Sequence, residues 1–309
     1  MSKSKLMISP HIHCGQSTAG IMLDVLIALI PAAVAGVVIF GLRSLLVIAV
    51  CMAACVGFEA LFNYLTKKDQ TISDLSAAVT GLLLALNLPA NVPLWQCAVG
   101  ALFAIVVVKG LFGGIGANLV NPAITARVFM LVAFTELATP AFPAVVDTVA
   151  GATPLALQEG TPLPSLLDLF IGLKGGVIGE TCGAALVLGG IYLLARRVIT
   201  WQIPAAFIGS VFVFSFFMEG MDPVRALSMV LSGGLLIGAI FMATDYVTSP
   251  STPWGKVIFG IGCGVITCLI RYFGNYPEGV SFAILFMNIL NPYINTWTKF
   301  KVFGVGGDR

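Results

Sequence analysis

NLVNP, residues 118 to 122, returns as NILNP at residues 288 to 292, with the two Asn residues and the Pro at the same spacing. Ahead of each copy, a Gly-rich apolar run is broken by prolines next to a tryptophan, at 81–95 in the first half and at 233–254 in the second. A pattern that recurs in this way indicates an internal duplication of the chain. The alternative is that two unrelated proline kinks lie by chance in an apolar sequence.

The composition is typical of a membrane protein. Of the 309 residues, 58% are hydrophobic and only 10% are charged, and the mean hydropathy is +1.01, whereas soluble domains carry about 25% charged residues. So few charges cannot cover a surface that faces water. The sequence therefore predicts an all-α polytopic membrane protein that lies in a lipid bilayer. The net charge of +2, with Lys and Arg scattered along the chain, indicates no nucleic-acid partner.

Seven apolar runs approach the length of about 20 residues that crosses a bilayer as a helix, and ten crossings, including a short one at 75–88, explain the chain. The first segment has no convincing small-residue cleavage site behind it, so it is predicted to be a membrane helix and not a signal peptide. The predicted crossings are 21–40, 44–65, 75–88, 93–109, 117–136, 177–195, 201–218, 225–243, 255–272 and 280–297.

The basic residues predict the orientation, because cytoplasmic loops collect Lys and Arg. With the N-terminus in the cytoplasm, twelve basic residues fall on the inner side and four on the outer side, namely Arg43, Lys174, Arg225 and Arg271. Both termini are then cytoplasmic. The predicted domains are a cytoplasmic N-terminal segment (1–20), a first transmembrane repeat (21–136), an extracytoplasmic loop (137–176), a second transmembrane repeat (177–298) and a cytoplasmic tail (299–309).

The two predicted repeats have opposite orientations, because matching elements lie five crossings apart. Many transporters have such inverted repeats, and their interrupted helices form sites near the middle of the bilayer. Asn121 and Asn291 stand where Pro122 and Pro292 are predicted to break their helices, and they are candidates for midplane contact with an ion or a flavin. The alternative is that they only bond backbone groups freed by the prolines. Glu180 and Asp245, in or beside predicted helices, are ionisable candidates for the same role.

No metal site is predicted. The seven cysteines show no CxxC or CxxH spacing, so neither a disulfide framework nor a cysteine-ligated cluster is indicated. Cys51 and Cys55 share a helix face, but most of the cysteines are expected to be small buried hydrophobes. His11, His13 and Cys14 alternate too briefly to indicate a metal site.

DTVAGATPLA, residues 147 to 156, is a nearly uncharged stretch of small residues in the predicted outer loop. Pro154 favours an extended conformation at Thr153, whose hydroxyl is left sterically open by the two small residues before it. The stretch resembles the flavinylation motif, in which a flavin transferase joins FMN to a threonine hydroxyl through a phosphoester. The resemblance implies covalent FMN on Thr153. The matching positions are Asp147, Gly151, Ala152 and Thr153, while Ala150 stands where the motif often has Ser or Thr.

The resemblance extends over nearly the whole chain, to the RnfD subunits of the RnfD/NqrB family. NqrB subunits usually carry a longer N-terminal extension before the first helix. With 20 residues before its first predicted crossing, this chain is more similar in this respect to RnfD. The stretches that carry the resemblance are SPHIH (9–13), GLLLALNLP (81–89), NPAITARVF (121–129), IGET (178–181), RRVITWQIP (196–204), TPWGKVIFGIGCG (252–264) and RYFGNYPEGVSFAILFMN (271–288).

The resemblance implies a fold, a function and partners. The fold would be the inverted five-helix repeat of ammonium and urea channels. The chain would be an electron-transfer subunit, not catalytic alone, of the membrane-bound Rnf complex. That complex couples electron transfer between ferredoxin and NAD to translocation of Na+ or H+. A second, noncovalent flavin such as riboflavin is also implied. The implied partners are the flavin transferase and the subunits RnfA, RnfB, RnfC, RnfE and RnfG.

Other interpretations of the sequence stay open. The chain is also compatible with an NqrB-type subunit of a Na+-translocating NADH:quinone reductase. The inverted repeat and Pro-broken helices would equally suit a channel or transporter for a small polar solute, with no redox role, or an inert scaffold subunit. The sequence contains no phosphate-cradling loop, nicotinamide fingerprint or cluster-binding cysteines, so chemistry on ferredoxin or NAD is expected to belong to partner subunits.

Overall fold

The computed structural model describes residues 17–134, 165–172, 174–274 and 279–299. Twelve helices make up most of these ranges, which confirms the prediction of a helical protein. Their bounds are α1 Thr18–Phe40, α2 Leu42–Leu65, α3 Ser76–Leu86, α4 Leu94–Leu102 with a π-helical continuation Phe103–Gly110, α5 Pro122–Ala133, α6 Leu166–Ile171, α7 Gly183–Ala195, α8 Gln202–Met218, α9 Pro223–Leu231, α10 Leu235–Ile237 with a π-helical continuation Gly238–Met242, α11 Pro253–Phe273 and α12 Val280–Trp297.

Three of the described helices, α1, α2 and α11, are long and apolar enough to cross a membrane. They have 23, 24 and 21 residues, with mean hydropathies of 2.6, 2.5 and 1.6. A fourth span is possible if α9 and α10 together make one broken crossing. Helices α3, α4 with its continuation, α5, α7 and α8 are apolar but shorter. A polytopic membrane protein is consistent with these lengths, while the total of ten crossings stays a prediction.

The predicted crossing at 117–136 begins later, at Pro122 of α5. The side-chain oxygen of Asn121 accepts hydrogen bonds from the amides of Ala123 (3.0 Å) and Ile124 (3.3 Å). A proline suits the first helical position because its missing N–H has no partner there. The chain before Asn121 is therefore outside the helix.

The predicted crossing at 177–195 also begins later, because α7 starts at Gly183. The preceding residues run into the bundle as an irregular segment that meets the end of α3. The amide of Gly179 donates to the Leu86 carbonyl at 2.7 Å, and the amide of Ile178 donates to Leu88 at 3.1 Å. A β-carbon at position 179 would lie 2.5 Å from the Leu86 β-carbon, so only glycine allows this approach.

The predicted crossing at 225–243 is not one continuous helix. Helix α9 ends at Leu231, α10 begins at Leu235, and the two axes are bent by 68°. Gly233 lies between them with φ of +70°, a conformation that side chains disfavour. Pro292, by contrast, does not break its helix, since α12 continues from Val280 to Trp297. The predicted interruption at Asn291 and Pro292 is therefore wrong.

The two halves of the chain use similar helix pairings. Helix α2 packs against α4 in the first half as α8 packs against α11 in the second, and the last two helices of each half also pack together. Across the halves, α1 packs against α7 and α5 against α12. These pairings are compatible with a duplication, which stays a prediction.

Candidate functional site

A group of amide side chains lies where the start of α5 meets the end of the α10 continuation. Besides capping α5, Asn121 donates from Nδ2 to the Met242 carbonyl at 3.3 Å. With its amide group turned to satisfy its neighbours, Asn288 of α12 donates to the Thr248 carbonyl (3.1 Å) and accepts from the Asn121 amide (3.2 Å). The Asn residues of the two repeated motifs are thus brought into contact. The side-chain oxygens of Asn121 and Asn288 are both occupied by the protein's own backbone.

Asn291 lies on the same helix as Asn288 and is also buried. Its Oδ1 accepts a hydrogen bond from Asn295 Nδ2 at 3.0 Å. The proline beside it lies inside a continuous helix, so Asn291 does not stand at a helix break.

Asp245 and Asn121 both line a cavity of about 110 Å³. We call it the inner cavity, because the residues that line it are predicted from the sequence to lie towards the cytoplasm. Its wall is mainly apolar, with Phe241 and residues of α1 and α3, and it includes the polar side chains of Ser76, Thr80 and Asn118. Thr248 Oγ1 donates to Asp245 Oδ2 at 3.1 Å, while the buried Oδ1 of Asn118 accepts no hydrogen bond from the described residues.

The inner cavity is too small for a flavin as it stands. A cavity of about 150 Å³ accommodates a single benzene ring, whereas the isoalloxazine group has three fused rings. We therefore assign no flavin to this cavity.

An ion pair between α2 and the α4 continuation lies beside the inner cavity. Lys109 Nζ is 2.8 Å from Glu59 Oε1, and the two side chains are 5% and 6% exposed. Lys109 also donates to Ser76 Oγ at 2.6 Å, and Thr71 Oγ1 donates to Glu59 Oε1 at 2.7 Å. Charges this deeply buried require partners of this kind.

The same pair forms the floor of a second cavity, the inner vestibule, of about 490 Å³. Exposed Lys67, Lys68 and Asp69 lie at its rim, and Asn63 and Thr71 line its wall beside Glu59. Lys109 lines both cavities. The second carboxylate oxygen of Glu59, Oε2, is buried and accepts no hydrogen bond from the described residues. This oxygen has unused hydrogen-bonding capacity, but it is out of contact with solvent in this conformation.

Glu180 lies in the irregular segment before α7 and is 5% exposed. Glu180 lines neither the inner cavity nor the inner vestibule. Its carboxylate is near Lys174, which is also buried. Burial lowers the pKa of the Lys174 ammonium, and the charge of Glu180 acts in the opposite direction. The sequence places Lys174 in the outer loop as a topology marker, but its burial means that it is not a solvated loop charge.

Lys109 and Lys174 are the main residues that sequence reasoning missed. Lys109 stands in the apolar run FAIVVVKG, and an ionisable residue within a span is itself a signal of a functional or paired group. Lys109, Arg127 and Lys174 are all buried, so they do not report orientation as loop charges do. The remaining basic residues still predict a cytoplasmic N-terminus.

The flavinylation motif, with Asp147, Gly151, Ala152 and Thr153, lies outside the described residues, as do His11, His13 and Cys14. The described chain that flanks the motif segment is attached to the bundle at both ends. Before it, α5 ends at Ala133. After it, α6 begins at Leu166, and its fully buried Leu169 lies in a helix that packs against α7 and α9.

Comparison with known proteins identifies relatives over nearly the full chain. Residues 5–304 match the model of the NQR2, RnfD, RnfE family. The chain is 48% identical to the D subunit of the Na+-translocating ferredoxin:NAD+ oxidoreductase complex of Acetobacterium woodii, over 96% of this chain and 94% of that protein. It is 40% identical to the proton-translocating counterpart of Clostridium ljungdahlii, over 96% and 95% of the two chains.

A third relative is the D subunit of the ion-translocating oxidoreductase complex of Actinobacillus succinogenes, which is 34% identical over 98% of both chains. These matches confirm the resemblance drawn from the sequence motifs. The chain belongs to the NQR2, RnfD, RnfE family.

Proposed function

We propose that this protein is the RnfD membrane subunit of an Rnf-type complex, which couples electron transfer between ferredoxin and NAD+ to ion translocation. The 48% identity to the corresponding protein of a Na+-translocating ferredoxin:NAD+ oxidoreductase complex, over 96% of the chain, carries the proposal. The protein would be part of an oxidoreductase and not catalytic alone. Ferredoxin and NAD+ would react on other subunits. The proposed partners are RnfA, RnfB, RnfC, RnfE and RnfG, in the cytoplasmic membrane, with both termini of this chain cytoplasmic.

The proposed cofactor is one FMN, joined through its phosphate to the Thr153 hydroxyl by a flavin transferase on the outer side of the membrane. The support is the motif from Asp147 to Thr153. When bound, FMN supplies electron transfer in single-electron steps. The protein's own contribution is to hold the attachment segment close to the bundle, because electron transfer needs the cofactor to stay near its partners.

Helix α6 is suited to that anchoring role. Ser165 Oγ accepts the Asp168 amide at 3.1 Å and caps the start of the helix. Gly172, with φ of +107°, ends it and donates its amide to the Asp168 carbonyl at 2.8 Å. The buried face of α6 then rests on α9. The segment that carries Thr153 is therefore followed by a capped helix seated on the membrane bundle.

The test of the flavin uses the full chain, made in cells that contain the flavin transferase. After acid precipitation, we expect flavin fluorescence to stay with the polypeptide, and the intact mass to rise by one FMN less one water. Thr153→Ala should abolish both signals. Thr161→Ala, in the same outer segment but outside the motif, is the matched control and should keep them. A wild-type chain without flavin would contradict the proposal and favour a non-redox channel or transporter, for which solute flux into vesicles is the measurement.

The inner vestibule supports a role in handling the translocated ion. The lining of this cavity of about 490 Å³ includes the carboxylate of Glu59 and its ion-pair partner Lys109, both almost fully buried. A neutral side chain of the same shape would keep the hydrogen bond from Thr71 but not the charge. The two relatives named first differ in their ion, Na+ in one and the proton in the other, so similarity alone does not select between them.

The corresponding experiment compares Glu59→Gln with wild type in the intact complex at equal amounts of folded protein, because the variant also leaves the buried Lys109 without its counter-charge. We expect the variant to need a higher Na+ concentration, or a lower pH for a proton-coupled complex, to reach half of its maximal electron-transfer rate. Asp69→Asn, at the exposed rim of the same cavity, is the control. An unchanged ion dependence in Glu59→Gln would remove this carboxylate from the proposed ion path while leaving the flavin proposal intact.

Two finer assignments complete the proposal. A second, noncovalent flavin such as riboflavin would require a site larger than the inner cavity. An NqrB-type role in a Na+-translocating NADH:quinone reductase is the alternative within the same family. Electron acceptor tests on the purified complex, with NAD+ against a quinone analogue, separate the two roles.

A further inference from the structure

The break between α9 and α10 leaves backbone carbonyls without helical partners. The last carbonyls of any helix lack amide donors from the next turn, and inside an apolar membrane region each unsatisfied group costs several kcal/mol. Helix α9 ends at Leu231, and the chain bends by 68° before α10 begins. Ser232, in the bend, is 1% exposed. Water at the surface therefore cannot reach the Ser232 carbonyl, while Met229 and Leu231 are partly buried.

Two basic side chains from distant parts of the chain bind these carbonyls instead. Lys174 Nζ donates to the Leu231 carbonyl. Arg271, in the last turn of α11, donates from Nη1 to Met229 (2.7 Å) and from Nη2 to Ser232 (3.0 Å). Three carbonyls at the end of α9 thus receive donors that carry positive charge. This arrangement also opposes the partial negative charge at a helix C-terminus.

Broken helices in transporters commonly use the same backbone groups for a different purpose. There, the carbonyls of the unwound stretch and the C-terminal ends of half-helices coordinate a free Na+ ion. In this protein the Lys174 ammonium donates to the Leu231 carbonyl, and it interacts electrostatically with the carboxylate of Glu180 and with the like charge of Arg271. A carbonyl and a carboxylate are oxygen ligands of the kind that hard cations prefer. The surroundings of the ammonium therefore resemble a small-cation site.

We propose that the Lys174 ammonium, together with the Arg271 guanidinium, is a tethered counter-ion that occupies the place where a broken helix would otherwise bind a free monovalent cation. Because the charge is covalently attached, the site is filled permanently and an ion cannot pass through this break. Any ion carried by the protein would have to use another route. The inference rests on these contacts and not on the proposed flavin.

The test removes the tethered charge and asks whether Na+ replaces it. The full chain is unfolded thermally in detergent, in sodium chloride and in choline chloride at equal ionic strength. Lys174→Ala leaves a space lined by oxygen atoms, and we expect Na+ to raise its Tm by about 2–4 °C more than it raises that of wild type, through binding to the folded state alone. Lys174→Met fills the same space with an apolar chain and should gain no such shift. Lys256→Ala, which removes a surface lysine bonded to Thr200, is the control.

Equal sodium effects in Lys174→Ala, Lys174→Met and wild type would overturn the proposal. If Lys174→Ala does not fold, amine labelling of the wild-type protein provides a second test. Lys174 should resist an amine-reactive reagent under native conditions and react once the protein is unfolded, while exposed Lys67 and Lys68 react in both states. Labelling of Lys174 at the rate of Lys67 would mean that its ammonium is free, and the proposal would be wrong. Neither readout depends on bound flavin, so both are separate from the test at Thr153.

Discussion

Lys109 and Glu59 form an ion pair of 2.8 Å between the α4 continuation and α2, with both side chains almost fully buried. Lys109 lines both the inner cavity and the inner vestibule, whereas of these two cavities Glu59 lines only the vestibule. The pair connects to Ser76 and Thr71 through hydrogen bonds. One carboxylate oxygen of Glu59 is left without a partner from the described residues. The pair thus links α2 to the α4 continuation and places a buried carboxylate beside the inner vestibule.

Removal of the Lys109 ammonium should strongly destabilise the folded protein. Lys109→Met leaves the Glu59 carboxylate buried without its counter-charge, and we expect a loss of about 3–5 kcal/mol in the free energy of unfolding. The double variant Lys109→Met, Glu59→Leu should recover part of this loss, because it removes both charges. The measurement is denaturant unfolding in detergent.

The control for the buried Lys109–Glu59 pair is an ion pair with an exposed arginine. Arg225 and Glu219 are 3.8 Å apart, and the Arg225 side chain is 56% exposed. Arg225→Met should cost no more than about 1 kcal/mol. A loss in Lys109→Met that is no larger than this would show that the buried pair contributes little to stability.

Close packing of α3 on α2 predicts opposite effects for two glycines. A β-carbon at Gly81 would lie 2.8 Å from Met52 Cα and 2.9 Å from the Cys51 carbonyl, so Gly81→Ala should cost about 1–3 kcal/mol through overpacking. Gly57, inside α2, has open space at the same position. Gly57→Ala should therefore stabilise the helix by about 0.5–1 kcal/mol. Thermal unfolding of the two variants is the comparison, and a loss of the same size in both would contradict it.

The cap of α5 predicts which property of Asn121 matters for stability. Asn121→Ala removes the acceptor for the Ala123 and Ile124 amides and should cost about 1 kcal/mol. Asn121→Ser keeps an acceptor and should cost less. If the two variants were equally stable, the capping bond would not be the stabilising contact. Electron-transfer rates of Asn121→Ser at several ion concentrations test the separate idea of a midplane contact.

The anchoring of α6 predicts a difference between two leucines of one helix. Leu169 is fully buried, whereas Leu167 is 70% exposed. Leu169→Ala should detach α6 from α9 because it removes the buried contact. We expect residues 165–172 to become more sensitive to limited proteolysis by several-fold. Leu167→Ala should leave the cleavage rate at the wild-type level, and faster cleavage in both variants would argue against this anchor.

Several features could be predicted from residues near each other in the chain. The apolar runs predicted α1 and α2 within a few residues of their bounds in the structure, because a span requires a continuous stretch of apolar residues. The Asn-Pro pair at 121–122 was identified as a special position, but the predicted crossing began at 117, whereas α5 begins at Pro122 with Asn121 as its cap. The motifs, which are also local, led to the family that the comparisons confirmed.

Other features depended on residues far apart in the chain. The apolar run at 225–243 does not predict the 68° bend after Leu231. At the bend, Lys174 and Arg271 donate hydrogen bonds to backbone carbonyls, and both residues lie far from this run in the sequence. Pro292 was expected to break a helix, but it lies inside the continuous helix α12, which packs on α11 and α5.

The sequence by itself determined that this chain is a helical membrane protein of a redox-linked family, because hydropathy and short motifs are local properties. Only the tertiary structure decided which charged groups are paired. Glu59 meets Lys109, and Lys174 meets the end of α9, across long separations in sequence. The physical reason is that a buried charge is stable only beside its partner, and the identity of that partner depends on how the helices pack.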